Sequence, residues 1–404
     1  MKINDFIKKH PNELNAPIFS KENEYLIISS GDGKYSVGSY IAISEKIKKD
    51  KKYKISLNYK KTDNAKVSAH IFFLDENKDG LTMEYMPPYE NGFSGEFYPI
   101  EGAEYIKIEY VFSCFGEGKA EFSLPEIETL DIDKRTVNVA TAYFYPAWKR
   151  EKSGDINANV PEILRIIDNA GTSSDKPDIL CFTETAYDRG TGLTFEEMAV
   201  REDSEIMQIV AKKAKEYKMH IIFGIHELAE EGIYNTSYVI SDEGKIIGKH
   251  RKTQITYSEV LTGMVPGNTI EPTQTKFGKI GIMICWEQWY PEVARKLVKK
   301  GADMLFVCTA GDPVEISRAR ARENGVYVII SGTATAGDGE SSRIIDKSGN
   351  IIKWVTDMEK GYVTHKIDLN KRDYVKSLGV SGLSAPIGGD AKMMHLNEIR
   401  NDIK

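Results

Sequence analysis

The spacing of hydrophobic and polar residues changes near residue 130, which indicates that the chain has two differently built parts. Before that position, short stretches alternate between apolar and polar residues, and clusters such as GDGK and DENKDG separate them. Examples are residues 53–59, 67–74 and 105–112. Because alternation buries one face of a strand, this part is predicted to form an antiparallel, jelly-roll-like β-sandwich.

After residue 134, short apolar runs alternate with stretches of helical spacing. Two helices are predicted over 160–169 and 204–217, and a hairpin over 234–241 and 246–249. The remaining apolar runs predict strands over 136–144, 178–183, 220–225, 279–285, 303–308, 326–331 and, as the last of the chain, 362–369. Strands that are apolar on both faces and alternate with helices are typical of an α/β domain.

The length of 404 residues fits two domains at roughly 100–200 residues each. We assign residues 1–132 to the β-sandwich domain, 133–372 to the α/β domain and 373–404 to a C-terminal tail. The tail has no clear periodicity and contains the Gly- and Ser-rich run SLGVSGLSAPIGGD.

Charge and composition narrow the classes of function. The net charge of −6 does not favour a nucleic-acid partner, which usually meets a basic surface. No stretch approaches the roughly 20 apolar residues of a membrane span, and no apolar run follows the charged start. The cysteines have neither metal-site nor disulfide-framework spacing: Cys114, Cys181, Cys285 and Cys308. We therefore predict a cytoplasmic protein without a metal or cofactor, in which Cys181 and Cys308 lie in the core.

Three residues stand where α/β folds place their chemistry, directly after apolar strands. Cys285 ends one strand and precedes a helix that Pro291 fits as a first-turn residue. Such a turn exposes a nucleophile beside backbone N–H donors. Glu184 follows a second strand and Lys252 the hairpin. Taken singly, each has a common structural explanation: a buried cysteine, a helix-terminal glutamate and a surface lysine.

Together, and in this chain order, these positions resemble the nitrilase, or carbon–nitrogen hydrolase, superfamily from about residue 135 to 370. The resemblance rests on LCFTETAY, where Thr183 replaces the commoner proline, on HRK after the hairpin, on ICWEQWYPE and on ARAREN. It implies an α-β-β-α sandwich in which Glu184 is the general base, Lys252 the catalytic lysine and Cys285 the nucleophile. It also suggests Glu259 as a second catalytic glutamate and the N–H of Trp286 as an oxyanion donor.

The activity implied by this resemblance is amidase-type hydrolysis of a non-peptide carbon–nitrogen bond. A thioester would form on Cys285 and ammonia or an amine would leave, without a cofactor or metal. The expected partner is a small amide or nitrile, and the resemblance implies a homodimer or larger homo-oligomer. Two alternatives stay open: a nitrilase, and a catalytically idle binding or scaffold protein. A Cys–His site using His226 or His250 is disfavoured, because a single histidine is more often structural.

The first domain resembles, in pattern and not in motif, the β-sandwich modules attached to carbohydrate-active proteins. Its aromatic residues could form a binding platform, or they could pack in the core or at the interface with the α/β domain. We favour the packing role for these residues: Tyr85, Tyr89, Phe93, Phe97 and Tyr98.

Overall fold

The computed structural model describes residues 3, 6–147, 154–311, 313–334, 342–371, 374–376 and 384–386. Backbone contacts divide the chain into two compact units, one built from Met1–Asp133 and one from Lys134–Asp373. The first unit also includes the described backbone of residues 374–376 and 384–386.

The first unit is an all-β sandwich. Its strands are β1 (Phe6–Lys9), β2 (Ile18–Glu22), β3 (Tyr25–Ser29), β4 (Tyr35–Ile43), β5 (Lys51–Lys61), β6 (Ala65–Leu74), β7 (Gly80–Tyr85), β8 (Pro88–Tyr89), β9 (Gly92–Phe97), β10 (Tyr105–Phe115), β11 (Lys119–Ser123) and β12 (Glu126–Asp131). One sheet contains the strands β1-β4-β10-β6-β7, and the other has the order β2-β3-β11-β5-β9-β8, with β12 beside β5. Alternate residues of both sheets meet in one apolar core.

The aromatic residues of this unit divide between its core and its surface. Phe93 and Phe97 are buried in the core. Tyr85 and Tyr89 are exposed. The favoured packing role therefore holds for the two phenylalanines and is wrong for these two tyrosines.

The second unit alternates strands and helices. Its strands are β13 (Thr136–Ala142), β14 (Ile179–Cys181), β15 (His220–Ala229), β16 (Gly232–Ile240), β17 (Ile246–Arg251), β18 (Thr273–Thr275), β19 (Gly278–Ile284), β20 (Met304–Cys308), β21 (Tyr327–Ser331), β22 (Arg343–Ile345), β23 (Ile351–Trp354) and β24 (Tyr362–Asp368). Its helices are α1 (Val160–Thr172), α2 (Phe195–Met198), α3 (Glu205–Tyr217), α4 (Tyr257–Leu261), α5 (Pro291–Lys299) and α6 (Val314–Asn324).

These strands form two six-stranded sheets, β17-β16-β15-β14-β13-β24 and β18-β19-β20-β21-β22-β23. An apolar core lies between the sheets. A second core packs α1 and α3 on the first sheet, and a third packs α5 and α6 on the other. The α-β-β-α sandwich expected from the sequence is thereby confirmed.

Parallel pairing at the centre of each sheet positions the candidate residues. Strands β13, β14 and β15 are parallel, as are β19, β20 and β21. Strands that run in one direction deliver the residues that follow them to one edge of the sheet. Cys181 and Cys308 are fully buried near that edge, as predicted, with their Sγ atoms 3.7 Å apart.

The strand Tyr362–Asp368 is not the last of the chain, contrary to expectation. Two short strands follow, β25 (Tyr374–Lys376) and β26 (Ser384–Pro386), which pair with each other. The second also pairs with β7 through Ser384 and Thr82. A strand edge offers backbone N–H and C=O groups whatever the side chains are, so hydropathy gives no signal for such pairing.

The helices of the described residues are short. The longest of them, α1 and α3, have 13 residues each. None is both long enough and apolar enough to cross a membrane.

Candidate active site

Cys285 lies at the strand-to-helix turn that the sequence predicted. Strand β19 ends at Ile284, a short 3₁₀ helix spans Cys285–Trp289, and α5 begins at Pro291. The backbone of Cys285 is left-handed, with a φ of 46°. This conformation is costly for a residue with a Cβ, so surrounding contacts must hold it in place.

Glu287 makes several of those contacts. Its side chain is fully buried, and Oε2 accepts the N–H of Ile284 at 2.8 Å and lies 2.8 Å from Nε2 of His250. The other oxygen accepts the backbone N–H of Thr253 at 2.8 Å and its hydroxyl at 2.6 Å. His250 and Thr253 flank Lys252, so Glu287 ties the cysteine turn to the lysine segment.

We expect Glu287→Gln to lower kcat with little change in KM, because the amide NH₂ would face groups that donate. Loss of these bonds at a buried site is also expected to cost about 1–3 kcal/mol of unfolding free energy. Steady-state kinetics and urea unfolding measure the two effects, with the exposed Glu292→Gln as the matched control. A wild-type rate of Cys285 alkylation in the Gln variant would contradict the positioning role.

Glu184 stands three residues beyond Cys181, the last residue of β14, in a loop that passes very close to β15. A Cβ on Gly224 would lie 2.7 Å from the backbone N of Thr185 and 2.9 Å from the O of Thr183. Only glycine fits there without a backbone shift. The glycine in HIIFGI therefore allows Glu184 to enter the cavity beside the two sheets.

The structure brings Glu184, Lys252 and Glu259 together. Nζ of Lys252 donates to Oε1 of Glu184 at 3.0 Å and to Oε1 of Glu259 at 2.8 Å. The side-chain amide of Asn235 donates to the same two oxygens, at 2.7 and 3.1 Å. Glu259 is the third residue of α4, and its Oε2 accepts the backbone N–H of Thr256. Asn235 lies in the predicted hairpin at 234–241 and was not singled out from the sequence.

These contacts decide the protonation of the cluster. Burial alone would raise the pKa of Glu184, but the charges of Lys252 and Arg189 and the hydrogen bonds from Lys252 and Asn235 lower it to about 2. Burial alone would lower the pKa of Lys252, but the negative charges of Glu184 and Glu259 raise it above its ordinary value. Glu184 is therefore an anion and Lys252 a cation at neutral pH.

The pKa of Cys285 is shifted in the direction that keeps its thiol protonated. Burial and the charge of Glu184 raise the pKa of its thiol, while Lys252 and hydrogen bonds with the Thr309 side chain and the Ala310 backbone partly offset them. The resting arrangement pairs a neutral thiol with a carboxylate that can accept its proton.

Arg189 and Asp188 also lie in the cavity wall and were not singled out from the sequence. Arg189 donates through Nη2 to Oε2 of Glu184 at 3.0 Å. His226 and Asp188 form a buried pair, with Nδ1 of the ring 2.7 Å from Oδ1 of the carboxylate. Arg189 and Asp188 neither follow a strand directly nor belong to a quoted motif, so the sequence carried no signal for them, whereas His226 had been considered for a Cys–His site. Because His226 pairs with Asp188 and His250 with Glu287, both histidines have structural partners.

The cavity measures about 330 Å³ and includes Glu184, Lys252, Glu259 and Cys285 in its wall. Trp286 follows the nucleophile candidate, and its indole N–H donates to the hydroxyl of Tyr290 at 3.2 Å. The role of its backbone N–H as an oxyanion donor stays a prediction.

Glu227 is a second buried carboxylate close to the site, and it makes the stability of the fold depend on pH. Burial would raise the pKa of Glu227, but hydrogen bonds from Arg251, Lys249 and Thr236 lower it to about 2. Below its ordinary pKa the unfolded chain binds the proton first, so the stabilisation is complete above about pH 5 and is lost toward pH 2. A shift of this size corresponds to about 3 kcal/mol.

We therefore expect the free energy of unfolding to fall as the pH is lowered from 7 to 3.5, and to fall less in Glu227→Gln. Glu184 contributes in the same window, so part of the slope remains. Urea unfolding at several pH values tests this, with the exposed Glu230→Gln as control. Equal slopes in the wild type and Glu227→Gln would exclude the explanation.

Comparisons with known proteins agree with this architecture. The sequence profile of the carbon-nitrogen hydrolase family matches residues 139–376. A probable nitrilase of Schizosaccharomyces pombe is 27% identical over 233 residues, which cover 54% of this chain and 85% of that protein. An omega-amidase of Saccharomyces cerevisiae is 31% identical over 152 residues, or 33% of this chain and 52% of that protein. The crystal structure of Nit3 of Saccharomyces cerevisiae, a member of the nitrilase superfamily, shares the fold, with a TM-score of 0.50 and 23% identity over 58% of this chain and 90% of that one.

Proposed function

Because this chain belongs to the carbon–nitrogen hydrolase family and is a hydrolase of that superfamily, we propose that it cleaves a small-molecule amide through a thioester on Cys285. The observation that carries the proposal is the meeting of Cys285, Glu184 and Lys252 in one cavity, from three separate parts of the chain. Relatives named as amidases support an amide as the substrate.

In the first half-reaction, Glu184 accepts the proton of the Cys285 thiol as the sulfur attacks the amide carbon. The carbonyl oxygen becomes an oxyanion, which the Lys252 ammonium and the N–H of Trp286 stabilise. Loss of one such donor typically costs about 2.7–4 kcal/mol of transition-state stabilisation. Glu184 then returns its proton to the nitrogen, the C–N bond breaks, and ammonia or an amine leaves the acyl-thioester.

In the second half-reaction, a water molecule gives a proton to Glu184 and attacks the thioester carbon. The C–S bond breaks, the carboxylic acid leaves, and the proton on Glu184 returns to the sulfur. Glu259 supports both steps by holding Lys252 through the contact of 2.8 Å. Since this cycle needs only proton transfers and a nucleophile, we propose that it proceeds without a cofactor.

A nitrile is the second candidate substrate, because one relative is named a probable nitrilase. Attack of the same thiolate on a nitrile carbon would give a thioimidate and, after hydrolysis, the same acid and ammonia. An idle scaffold is the third possibility, and the complete Glu184, Lys252 and Cys285 set argues against it.

Other features of the whole protein are also proposals. We propose a cytoplasmic homo-oligomer whose hydrolase domain spans residues 133–372, with a β-sandwich domain at 1–132 and a tail at 373–404. A carbohydrate ligand for the β-sandwich domain rests on pattern alone.

An ammonia-release screen over amides, nitriles, ureas and carbamoyl amino acids tests the proposal. We expect at least one amide to release ammonia, and the same amide to be inert with Cys285→Ala. Release from nitriles alone would replace the amidase with a nitrilase. Absence of release across the panel would favour the idle scaffold.

A further inference from the structure

His226 lies in the wall of the cavity, and the mechanism proposed above gives it no role. Its ring nitrogen Nδ1 lies 2.7 Å from Oδ1 of Asp188, whose Oδ2 accepts the backbone N–H of His226 at 3.1 Å. The second ring nitrogen, Nε2, has no hydrogen-bond partner among the residues that the structure describes. It is not sealed from solvent either, and the side chain is 8% exposed. Nε2 is therefore the polar atom that His226 offers to a molecule in the cavity.

Asp188 decides which ring nitrogen of His226 carries the proton. A carboxylate accepts hydrogen bonds and does not donate them, so the contact of 2.7 Å places the proton on Nδ1. In the neutral ring, Nε2 then has a free lone pair and acts as an acceptor.

Neighbouring groups hold this ring in one orientation before any ligand arrives. Phe195 meets the imidazole edge to face, with ring centroids 5.0 Å apart and an angle of 89° between the ring planes. The backbone C=O of His226 accepts the N–H of Val200 at 2.9 Å. Because the ring and its backbone are both held, a molecule bound at Nε2 has a defined position.

Strand pairing puts His226 beside the groups of the proposed reaction. It lies directly opposite Asn235 in the antiparallel pair of β15 and β16. Side chains opposed in this way share a face of the sheet, with Cβ atoms about 4.5–5.5 Å apart. The Asn235 amide donates to Oε1 of Glu184 at 2.7 Å, and Glu184 and Cys285 line the same cavity of about 330 Å³. A small molecule that contacts Nε2 is therefore close to Glu184.

Hydrolysis of the thioester has a requirement that a second acceptor would meet. Although burial would raise it, the pKa of Glu184 is lowered to about 2 by the charges of Lys252 and Arg189 and by hydrogen bonds, which makes this carboxylate a weak base toward water. A water molecule held by Glu184 alone could rotate about its single hydrogen bond. A second acceptor stops that rotation and directs a lone pair of the water oxygen at the thioester carbon.

We propose that His226 is a catalytic residue of the second half-reaction, in which Nε2 accepts one O–H of the hydrolytic water while Glu184 takes the proton of the other. As that second O–H bond breaks, the oxygen bonds to the thioester carbon, the C–S bond breaks, and Glu184 passes its proton to the sulfur of Cys285. The O–H that contacts Nε2 stays intact. Asp188 is then a positioning residue, because it acts only through the ring. This inference rests on the proposed function at Cys285.

Two variants of His226 separate this role from a structural one. In His226→Asn, the side-chain NH₂ takes the place of Nδ1 and keeps the bond to Asp188, but no atom reaches the position of Nε2. In His226→Gln, the longer side chain brings a carbonyl oxygen to that position as an acceptor. A role confined to holding Asp188 would make Asn the better substitute, whereas the proposed role makes Gln the better one.

The time course of p-nitrophenyl acetate hydrolysis reports the two half-reactions separately, because p-nitrophenolate leaves in the first and acetate in the second. We expect the initial burst, which measures acylation of Cys285, to keep its wild-type rate in His226→Asn. The steady-state rate, which measures deacylation, should fall about 10- to 100-fold in His226→Asn and stay within about fivefold of the wild type in His226→Gln. The matched control is His365→Ala, which changes a half-buried histidine outside the cavity wall and should keep both rates.

Hydroxylamine adds a readout that a purely structural role would not move. It attacks thioesters without help from a base, so it should raise the turnover of His226→Asn toward the wild-type rate and yield acetohydroxamate. Equal losses of the burst and steady-state rates in His226→Asn would overturn the inference. So would a steady-state rate in His226→Gln that is no higher than in His226→Asn.

Intact-mass spectrometry separates this inference from the proposed function. An acetyl group that accumulates on His226→Asn, and is missing from the double variant with Cys285→Ala, would support both. No acetyl group on either the wild type or His226→Asn would refute the thioester at Cys285 itself. Acetylation of Cys285 followed by deacylation at the wild-type rate in His226→Asn would refute the role of His226 alone.

Discussion

Replacement of Cys285 by alanine is expected to reduce hydrolysis of any accepted amide by at least about 10⁴-fold. The change removes the sulfur atom that forms the covalent bond in the proposed mechanism. Glu184 could still activate water, but the thioester route would be closed. The ammonia-release rate at saturating substrate measures the loss.

The fold should tolerate this change, because alanine is smaller than cysteine and can adopt the same left-handed backbone conformation at position 285. A thermal midpoint near the wild-type value would show that lost activity is a chemical effect. The matched control is Cys114→Ala, which removes a buried thiol from the β-sandwich unit and should leave turnover unchanged. Wild-type turnover by Cys285→Ala would remove the nucleophile assignment.

Alkylation by iodoacetamide tests the accessibility of the Cys285 thiol. Cys285 is half-buried, whereas Cys114, Cys181 and Cys308 are buried. We expect Cys285 to be alkylated first, at a rate that a bound amide slows. Faster labelling of any other cysteine would contradict the accessible position of the Cys285 thiol.

The second large effect is expected for Glu184→Gln. The amide cannot accept the thiol proton, so kcat for an unactivated amide should fall by at least about 10²–10⁴-fold. The variant also leaves Arg189 without its carboxylate partner and Lys252 with Glu259 alone. Breaking these buried ion pairs is expected to destabilise the fold by about 3–5 kcal/mol. Circular dichroism and urea unfolding establish whether the variant is folded, and Glu184→Asp offers a milder change that keeps the charge.

A p-nitrophenyl ester makes the Glu184 test sharper. Its leaving group needs no proton, so Cys285 in Glu184→Gln can still be acylated, slowly, at alkaline pH. Hydrolysis of the thioester then lacks its base, and intact-mass spectrometry should detect the acyl group accumulating on the protein. The adduct should be missing in the double variant with Cys285→Ala. The exposed Glu196→Gln serves as control and should neither lose activity nor accumulate an adduct.

Much of the fold was predictable from the sequence for a simple physical reason. Period-2 alternation marks strands with one buried face, and fully apolar runs between helices mark strands buried on both faces. These patterns placed the change of architecture near residue 130 and the turn at Cys285. The prediction of the last strand was wrong, because backbone pairing of Ser384–Pro386 with β7 requires no side-chain pattern.

The sequence by itself also determined where Glu184, Lys252 and Cys285 stand relative to their strands, since each follows an apolar run. Only the tertiary structure decided what surrounds them. Asn235 reaches Glu184 across paired strands, and Arg189 reaches it from within a loop. Loop side chains have no periodicity that fixes their direction, so the charged partners of a loop residue cannot be predicted from the sequence. The protonation of Glu184 depends on charges and donors at distances of about 3 Å, and these contacts exist only after folding.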